Sequence, residues 1–159
     1  MAHASPATRA LDAAGIAYAL HEYAYDPSAA SVGLQAAAAL GVDPARMFKT
    51  LMVSLDGKPA CASLRVDHEL SLKKLAAALG GKHAALLPVA DAERITGYHV
   101  GGISPFGRRK RVPVALDASA QAHGKILCNG GQRGLMLEVA PGAIVDLLGA
   151  RVAPITAGA

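Results

Sequence analysis

The sequence predicts a mixed α/β domain, in which helices pack around a mixed β-sheet. Segments of strand type and segments of helical type are interspersed along the chain, but without the regular strand-helix-strand spacing of a doubly wound fold. The chain has 159 residues, of which 52% are hydrophobic. This is the length of one ordinary domain, and it is enough to bury a sizeable core. We therefore expect residues 1–159 to form a single domain.

The first half of the chain contains three predicted helices and three predicted strands, each bounded by capping or turn residues. Ser5 before Pro6 is typical of a helix N-terminus, and Gly15 is typical of a helix end. Asp56-Gly57 favours a tight hairpin turn between the two clearest strands. The helices are predicted over residues 6–14, 31–40 and 72–79, and the strands over residues 16–23, 48–55 and 60–66.

The second half is predicted to consist of shorter elements that surround a glycine-rich segment. Turn-forming residues separate its apolar runs, and Gly149 marks the end of its clearest helix. The strands are predicted over residues 84–89, 112–116, 125–128, 135–139 and 151–155, and the helices over residues 90–95 and 141–148.

The composition limits the kinds of partner and the compartment. Charged residues make up 18% of the chain and the formal net charge is +4. Four cations are consecutive at residues 108–111, which favours a local anionic partner over general coating of nucleic acid. Aromatic residues are scarce, at 4%, which argues against a surface that stacks many bases. No leader peptide and no apolar stretch of about 20 residues is evident, so we expect a soluble, cytoplasmic protein.

Cysteine and histidine give no sign of a metal site or of a built-in nucleophile. Cys61 and Cys128 lie in apolar, strand-like runs, as buried and inert thiols do. His21 and Tyr23 are two residues apart on a predicted strand, so they share a face, either in a pocket or as a structural pair. The histidines lack metal-type spacing, and no Gly-x-Ser-x-Gly or Walker-type motif is present. We expect neither a metal nor a cofactor.

Two glycine-rich segments and one lysine are candidates for the chemistry. Gly101-Gly102 permits positive φ and leaves amide hydrogens free for a phosphate or an oxyanion, although the same pair also suits a simple tight turn. Asn129–Gly134 repeats this composition downstream. Lys49 begins an apolar strand, where its amine either reaches solvent or points into a pocket. The basic run at residues 108–111 suits a solvated surface or a nucleic-acid backbone.

Three motifs in a fixed order are similar to those of the YbaK family. They are Phe48-Lys49-Thr50-Leu51, the segment from Gly97 to Gly107, and Gly130-Gly131-x-Arg133-Gly134-Leu135. The family comprises free-standing aminoacyl-tRNA deacylases related to the editing domain of bacterial prolyl-tRNA synthetases. The resemblance runs from about Ser5 to Ile155.

The resemblance implies a fold, an activity and a site. The fold is a mixed β-sheet, partly closed like a barrel and surrounded by helices. The activity is hydrolysis of mischarged tRNA in trans, typically of cysteine esterified to proline tRNA, without a cofactor. Lys49 matches the functional lysine near the terminal adenosine, and with Gly101 and Gly102 it forms the predicted catalytic group. The predicted substrate-binding residues are Tyr23, Thr50, Ile103, Ser104, Asn129, Gly130, Gly131, Arg133 and Met136, and the predicted tRNA-binding residues are Arg108, Arg109, Lys110 and Arg111.

The chemistry of cysteine agrees with the lack of a protein nucleophile. A cysteinyl ester carries its own thiol, which can attack the ester carbonyl and release tRNA and a cyclic thiolactone. Neither Cys61 nor Cys128 is needed for this reaction.

Two positions depart from the cysteine-specific pattern. Asn129 stands where those members have serine, and Met136 stands where they have an acidic residue. The departures leave alanine or serine open as the amino acid removed, and they also leave open a silent module that binds tRNA or a synthetase. The short basic run predicts weak, salt-dependent binding of tRNA, so prolyl-tRNA synthetase is a candidate partner that would supply specificity for the tRNA body.

Overall fold

The structure is a computed structural model, and it describes residues 4–158. Its helices are α1 (Pro6–Ala13), α2 (Val32–Leu40), α3 (Leu72–Ala78), α4 (Val89–Thr96) and α5 (Pro141–Leu148). Its strands are β1 (Ala19–Glu22), β2 (Phe48–Leu55), β3 (Lys58–Arg65), β4 (Glu69–Leu70), β5 (Ala84–Leu86), β6 (Val114–Asp117), β7 (Ile126–Gln132), β8 (Leu135–Val139), β9 (Arg151–Ala153) and β10 (Thr156–Gly158). Single 3₁₀ turns lie at Pro44–Arg46 and Ala118–Ala122.

The capping and turn residues act as the sequence predicts. The Ser5 side chain accepts a hydrogen bond from the Thr8 amide at 3.2 Å, and the Thr8 hydroxyl accepts one from the Ser5 amide at 2.9 Å. This reciprocal pair is a capping box, and it fixes the start of α1. Asp56 and Gly57 have φ values of 49° and 84°, so both adopt the left-handed conformation that a two-residue hairpin turn needs.

The structure differs from the prediction chiefly at short strands. The predicted strand over residues 151–155 ends at Ala153, before Pro154, which has no amide hydrogen for a ladder. The chain then forms β10, which pairs antiparallel with the two-residue β4. Neither strand was predicted, because segments this short contain no readable alternation of apolar and polar residues.

Ten strands form three separate sheets in the described part of the chain. The largest has the order β5-β2-β3-β6-β9 and mixes antiparallel pairs with the parallel pairs β3-β6 and β6-β9. The second has the order β1-β8-β7 and is antiparallel. A single parallel bridge between Met47 and Leu127 joins the start of β2 to β7.

The sheets are not closed into a barrel, so the prediction of partial closure was wrong. Closure requires a partner on both edges of every strand. The large sheet instead ends at β5 and β9, each three residues long. In addition, β5 pairs only with Val53–Leu55, which leaves the first half of β2 without a strand on that edge. The prediction of a mixed α/β fold is confirmed.

Both faces of the large sheet are covered. Phe48, Met52 and Cys61 face a core that also contains side chains of α1, α5, β7 and β8. Val53 and Ala60 lie on the opposite face and pack with α3. Within residues 4–158, no helix is long and apolar enough to cross a membrane.

Candidate active site

A cavity of about 390 Å³ lies beside the unpaired half of β2. Its walls come from the first turn of α2, from β2, from the segment that joins β5 to α4, and from the Gly101 loop. Its lining residues are Tyr23, Tyr25, Ser31, Val32, Gly33, Ala36, Phe48, Lys49, Thr50, Leu51, Met52, Val66, Leu86, Leu87, Val89, Ala92, Val100, Gly101, Ile103, Asn129 and Met136. The walls are thus mostly apolar, with a few polar groups, as is usual for small-molecule sites.

Lys49 is the only charged side chain among these lining residues. Burial lowers the pKa of its amine, while the carboxylates of Glu69 and Asp67 act in the opposite direction. Neither carboxylate forms an ion pair with the Lys49 amine, and no residue of the 4–158 segment forms a hydrogen bond with this amine. The cavity therefore contains a half-buried cation that is free to meet an oxygen of a ligand.

Two hydroxyl groups in the cavity wall have no partner. The Tyr23 hydroxyl and the Thr50 hydroxyl are buried, and neither makes a hydrogen bond within the described residues. Burial also raises the pKa of the Tyr23 phenol, so this group is protonated at neutral pH and able to donate. Because buried polar groups nearly always have a partner, these two hydroxyls are available to a polar group that enters the cavity.

The open edge of β2 adds backbone groups to the same wall. The Met52 carbonyl lies on this edge, since it accepts a hydrogen bond from the Leu87 amide at 3.1 Å. Thr50 precedes it by two residues in an uninterrupted strand, so its amide and carbonyl point to the same edge. No sequence signal marked this edge, because it exists only where β5 stops.

Gly101 reaches the cavity in a conformation that requires glycine. Its φ is 93°, and a Cβ at this position would lie 2.7 Å from the Tyr25 hydroxyl. Asn129 holds the loop, because its side-chain amide donates to the Gly101 carbonyl at 3.1 Å and its oxygen accepts from the Gly131 amide at 2.7 Å. Asn129 thus ties the two glycine-rich segments together.

The remaining residues of the first glycine segment divide between the cavity and the interior. Ile103 lines the cavity, whereas Gly102 and Ser104 do not. The Gly102 amide donates to the His99 carbonyl at 2.8 Å, so it is not free for an oxyanion in this conformation. The Ser104 hydroxyl is fully buried and accepts from the Phe106 amide at 3.2 Å. Of the predicted catalytic group, Lys49 and Gly101 face the cavity.

The second glycine segment supports the first from behind. A Cβ at Gly102 would lie 3.0 Å from the Arg133 amide nitrogen, so the two backbones are in direct contact. The Gly130 carbonyl accepts a hydrogen bond from the Ser5 hydroxyl at 2.6 Å. The Arg133 guanidinium donates to the Val100 carbonyl at 3.0 Å and lies 5.5 Å from the centre of the Tyr25 ring. Gly130, Gly131 and Arg133 therefore position the loop and do not line the cavity.

His21 is directed away from the cavity although Tyr23 lines it. The His21 ring forms a hydrogen bond with Glu138 at 2.9 Å, and Arg46 donates to the same carboxylate at 2.8 Å. The hydrogen bond with His21 lowers the pKa of the Glu138 carboxyl most, and the hydrogen bond from Arg46 lowers it further. His21 thus belongs to a hydrogen-bonded group with Glu138 of β8 and Arg46 of the 3₁₀ turn.

Comparisons with known proteins identify the family of the chain. Residues 26–147 match the family model described as "Aminoacyl-tRNA editing domain". The chain belongs to this family. The prediction of the family is confirmed, and with it the prediction that the protein is an aminoacyl-tRNA deacylase.

Individual relatives agree with this family. A protein of Enterococcus faecalis, EbsC, named for a proposed Cys-tRNA(Pro)/Cys-tRNA(Cys) deacylase activity, is 38% identical over 155 residues, which are 94% of this chain and 92% of that protein. The crystal structure of a proposed trans-editing enzyme for prolyl tRNA synthetase has a TM-score of 0.83 at 22% identity, with 99% and 100% of the two chains covered. The hypothetical protein APE2540 has a TM-score of 0.84 at 24% identity, with 96% and 99% covered. The two solved structures are similar in fold.

The two cysteines of this editing domain are not among the residues that line the cavity. Cys61 and Cys128 are both fully buried, and burial raises the pKa of each thiol. A buried thiol with a raised pKa forms little thiolate and is a poor nucleophile. Among residues 4–158, no three His, Cys, Asp or Glu side chains are grouped so as to hold a metal ion.

The basic run of the editing domain is divided among three places. Arg108 is half-buried, and its Nη1 atom is inaccessible to solvent and lacks a partner in the described chain. Arg109 and Lys110 are exposed and line a groove outside the cavity. The Arg111 guanidinium lies 3.5 Å from where a Cβ of Gly149 would be, at the end of α5. The four cations therefore do not form one continuous patch.

The sequence did not indicate several residues of the cavity wall. The lining residues that were not predicted include Tyr25, residues of the α2 N-terminus (Ser31, Val32, Gly33 and Ala36) and apolar residues near α4 (Leu86, Leu87, Val89 and Ala92). Gly33 carried one possible signal, because glycine is unfavourable inside a helix. A Cβ at Gly33 would lie 2.5 Å from the Val66 side chain, so glycine allows α2 to approach the sheet and form this wall.

Proposed function

We propose that this protein removes a small amino acid from mischarged tRNA in trans, and that cysteine on proline tRNA is its main substrate. The observation that carries the proposal is the largely apolar cavity in which Lys49 is the single charged lining group. A volume of about 390 Å³ has room for an aminoacyl group with part of the terminal nucleoside. The E. faecalis relative named for Cys-tRNA(Pro) and Cys-tRNA(Cys) supports the choice of cysteine.

The lining residues support a reaction in which the substrate provides the nucleophile. The described lining contains no Cys, His, Asp or Glu side chain, so the Ser31 and Thr50 hydroxyls have no imidazole or carboxylate base in the lining to activate them. In the proposed reaction the substrate sulfur attacks the ester carbonyl carbon, and the bond from that carbon to the ribose oxygen breaks. The proton lost by the thiol ends on the released ribose hydroxyl, and the products are tRNA and a thiolactone.

Lys49 and the Gly101 loop are the proposed catalytic elements. The protonated amine of Lys49 stabilises negative charge that develops on an ester or ribose oxygen. Gly101 allows the loop to approach the ester closely, because any side chain there would occupy the space next to Tyr25. Thr50 and Tyr23 supply the hydroxyls that orient the substrate.

Met136 favours a second candidate, removal of alanine or serine. Met136 lines the cavity, and the described lining offers no carboxylate for the substrate ammonium. Discrimination then rests on cavity shape, which separates small side chains only weakly. Removal of alanine would require attack by water or by a hydroxyl of the tRNA.

The decisive assay compares proline tRNA charged separately with cysteine, alanine, serine or proline. We expect fastest release of cysteine, and a loss of at least about tenfold in kcat/KM for Lys49→Ala. Methylation of the cysteinyl sulfur should abolish release if the thiol is the nucleophile, while alanine release would indicate attack by oxygen. If none of the four esters is cleaved, the reading as a silent tRNA-binding module replaces this proposal.

The pH profile tests the charge on Lys49. Because burial lowers the pKa of this amine, activity that needs its protonated form should fall with rising pH at a value below the ordinary 10.5. Lys49→Arg should move the fall to higher pH, since a guanidinium stays protonated. Profiles that coincide after subtraction of spontaneous ester hydrolysis would remove Lys49 from the mechanism.

The place of action and the partners are also proposals. Since the proposed substrate is charged tRNA, we infer that the protein acts in the cytoplasm, where tRNA is charged. Prolyl-tRNA synthetase is the proposed partner for selection of proline tRNA. Addition of the synthetase should raise the ratio of cysteine release from proline tRNA to release from cysteine tRNA, and an unchanged ratio would contradict the partnership.

A further inference from the structure

A second concave surface of about 580 Å³ lies next to the cavity. It is formed by the β2-β3 hairpin, by one face of α4 and by part of the basic run. Its charged lining groups are Lys58, Asp91, Arg94, Arg109 and Lys110. Four cations and one carboxylate make this groove strongly positive, which suits a polyanion.

Three of the four cations are free to bind an anion. Arg94 forms an ion pair with Asp91 at 3.1 Å, so the carboxylate offsets that arginine. Lys58, Arg109 and Lys110 form no ion pair within residues 4–158. Charges that lack a protein partner attract phosphate without first breaking an existing bond.

Arg109 is held in place on α4. Its amide donates to the Thr96 carbonyl at 2.9 Å, and its Nε lies 3.4 Å from where a Cβ of Gly97 would be. The absence of a side chain at Gly97 thus lets the arginine lie along the end of the helix. The backbone of Arg109 is thus fixed at the end of α4, and its side chain lines the groove.

The groove and the cavity are neighbours. Leu87 lines both of them, and α4 presents Val89 and Ala92 to the cavity and Asp91 and Arg94 to the groove. A nucleic-acid strand whose 3′ end enters the cavity can therefore reach the groove.

We propose that this groove binds the phosphate backbone of the acceptor end of tRNA, with Lys58, Arg109 and Lys110 as its phosphate contacts. The proposal rests on the proposed function for its ligand. It also revises the expectation from the sequence, because Arg108 and Arg111 of the basic run lie outside the groove and Lys58 joins it from another part of the chain.

The test compares two double variants that lose the same charge. Lys58→Ala/Lys110→Ala removes two groove cations, and Lys73→Ala/Arg151→Ala removes two exposed cations elsewhere. Binding of uncharged proline tRNA, and of a minihelix that contains only its acceptor stem, is measured between 50 and 200 mM salt. Each phosphate contact contributes about 0.7 to 0.9 to the slope of log affinity against log salt. Over this fourfold range of salt, the affinity of wild type should therefore fall by a factor about ten times larger than the affinity of the groove variant. The control variant should behave as wild type.

Several outcomes overturn the proposal. Equal slopes for the two double variants would show that net charge alone matters, and an effect on tRNA but not on the minihelix would place the contact away from the acceptor end. Loss of binding to anionic phospholipid vesicles with unchanged RNA binding would assign the groove to a membrane surface. Uncharged tRNA also separates this proposal from the proposed function, because groove-dependent binding without ester cleavage would refute only the latter.

Discussion

Asn129 is the residue through which the two glycine-rich segments depend on each other, so its replacement by Ala tests the architecture of the site directly. The change removes the bond to the Gly101 carbonyl and the bond from the Gly131 amide, at 3.1 and 2.7 Å. At about 1 kcal/mol for each hydrogen bond, the free energy of unfolding should fall by about 2 kcal/mol. For a domain of this size the corresponding fall in Tm is about 4–8 °C.

The same variant should also lose activity. Because the bond to Gly101 holds the loop at the cavity, its loss of about 1 kcal/mol lowers kcat/KM for Cys-tRNA(Pro) roughly fivefold. Thermal unfolding followed by circular dichroism and initial rates of deacylation measure the two effects. Asn129→Asp is the matched variant, since it still accepts from the Gly131 amide but cannot donate to the Gly101 carbonyl. It should regain part of the stability and none of the activity.

The reasoning would be refuted if Asn129→Ala left Tm within about 1 °C and kcat/KM within about twofold of wild type. Full activity in Asn129→Asp would refute only the role of the bond to the Gly101 carbonyl, since that variant keeps the bond from the Gly131 amide.

Three further predictions concern residues outside the cavity. The Cys61→Ala/Cys128→Ala variant should keep kcat/KM within a few-fold, because neither thiol lines the cavity, and complete inactivity at unchanged fold would show that a protein thiol takes part. Gly107→Ala should destabilise the fold by at least about 3 kcal/mol in urea unfolding, because its Cβ would lie 2.2 Å from a backbone oxygen of α1 at a φ of 66°; a loss below about 1 kcal/mol would contradict that contact. The pKa of Glu138 is lower in the folded protein than its ordinary value of 4.5. The ionised carboxylate therefore contributes stability above pH 4.5, and this contribution is lost as the pH falls through the pKa of the folded state. Glu138→Gln should accordingly flatten the acid limb of stability against pH, and an unchanged limb would show that other carboxyls cause it.

Local signals in the sequence predicted those parts of the site whose geometry depends on the backbone conformation of a single residue or a short segment. The positive φ at Gly101 and the start of an apolar strand at Lys49 are properties of short segments, so they could be predicted without the fold. The N-cap at Ser5 and the turn at Asp56 were predictable for the same reason. In each case the residue type and its immediate neighbours determine the geometry.

The parts that failed are those that depend on pairing between distant segments. Gly102 is a different case, because its amide donates to the His99 carbonyl three residues earlier and so forms the simple tight turn that the sequence had left open as an alternative. The open edge at Thr50 exists because β5 is only three residues long, and strand length at an edge is set by tertiary packing. The four consecutive cations at residues 108–111 suggested one basic patch, although the side chains of Arg108 and Arg111 lie in different parts of the structure.

The hydrogen bond between Ser5 and Gly130 has a consequence for the order in which the chain matures. Its partners are 125 residues apart, so during synthesis α1 leaves the ribosome long before the segment on which it docks. At about 5–20 residues per second, roughly 6 to 25 seconds pass between the two. Until then the Ser5 hydroxyl lacks its Gly130 partner, and the second glycine segment, once made, completes both this contact with the N-terminal cap and the support of the Gly101 loop. The support behind the Gly101 wall of the cavity therefore cannot be complete until residues 129–134 have been synthesised.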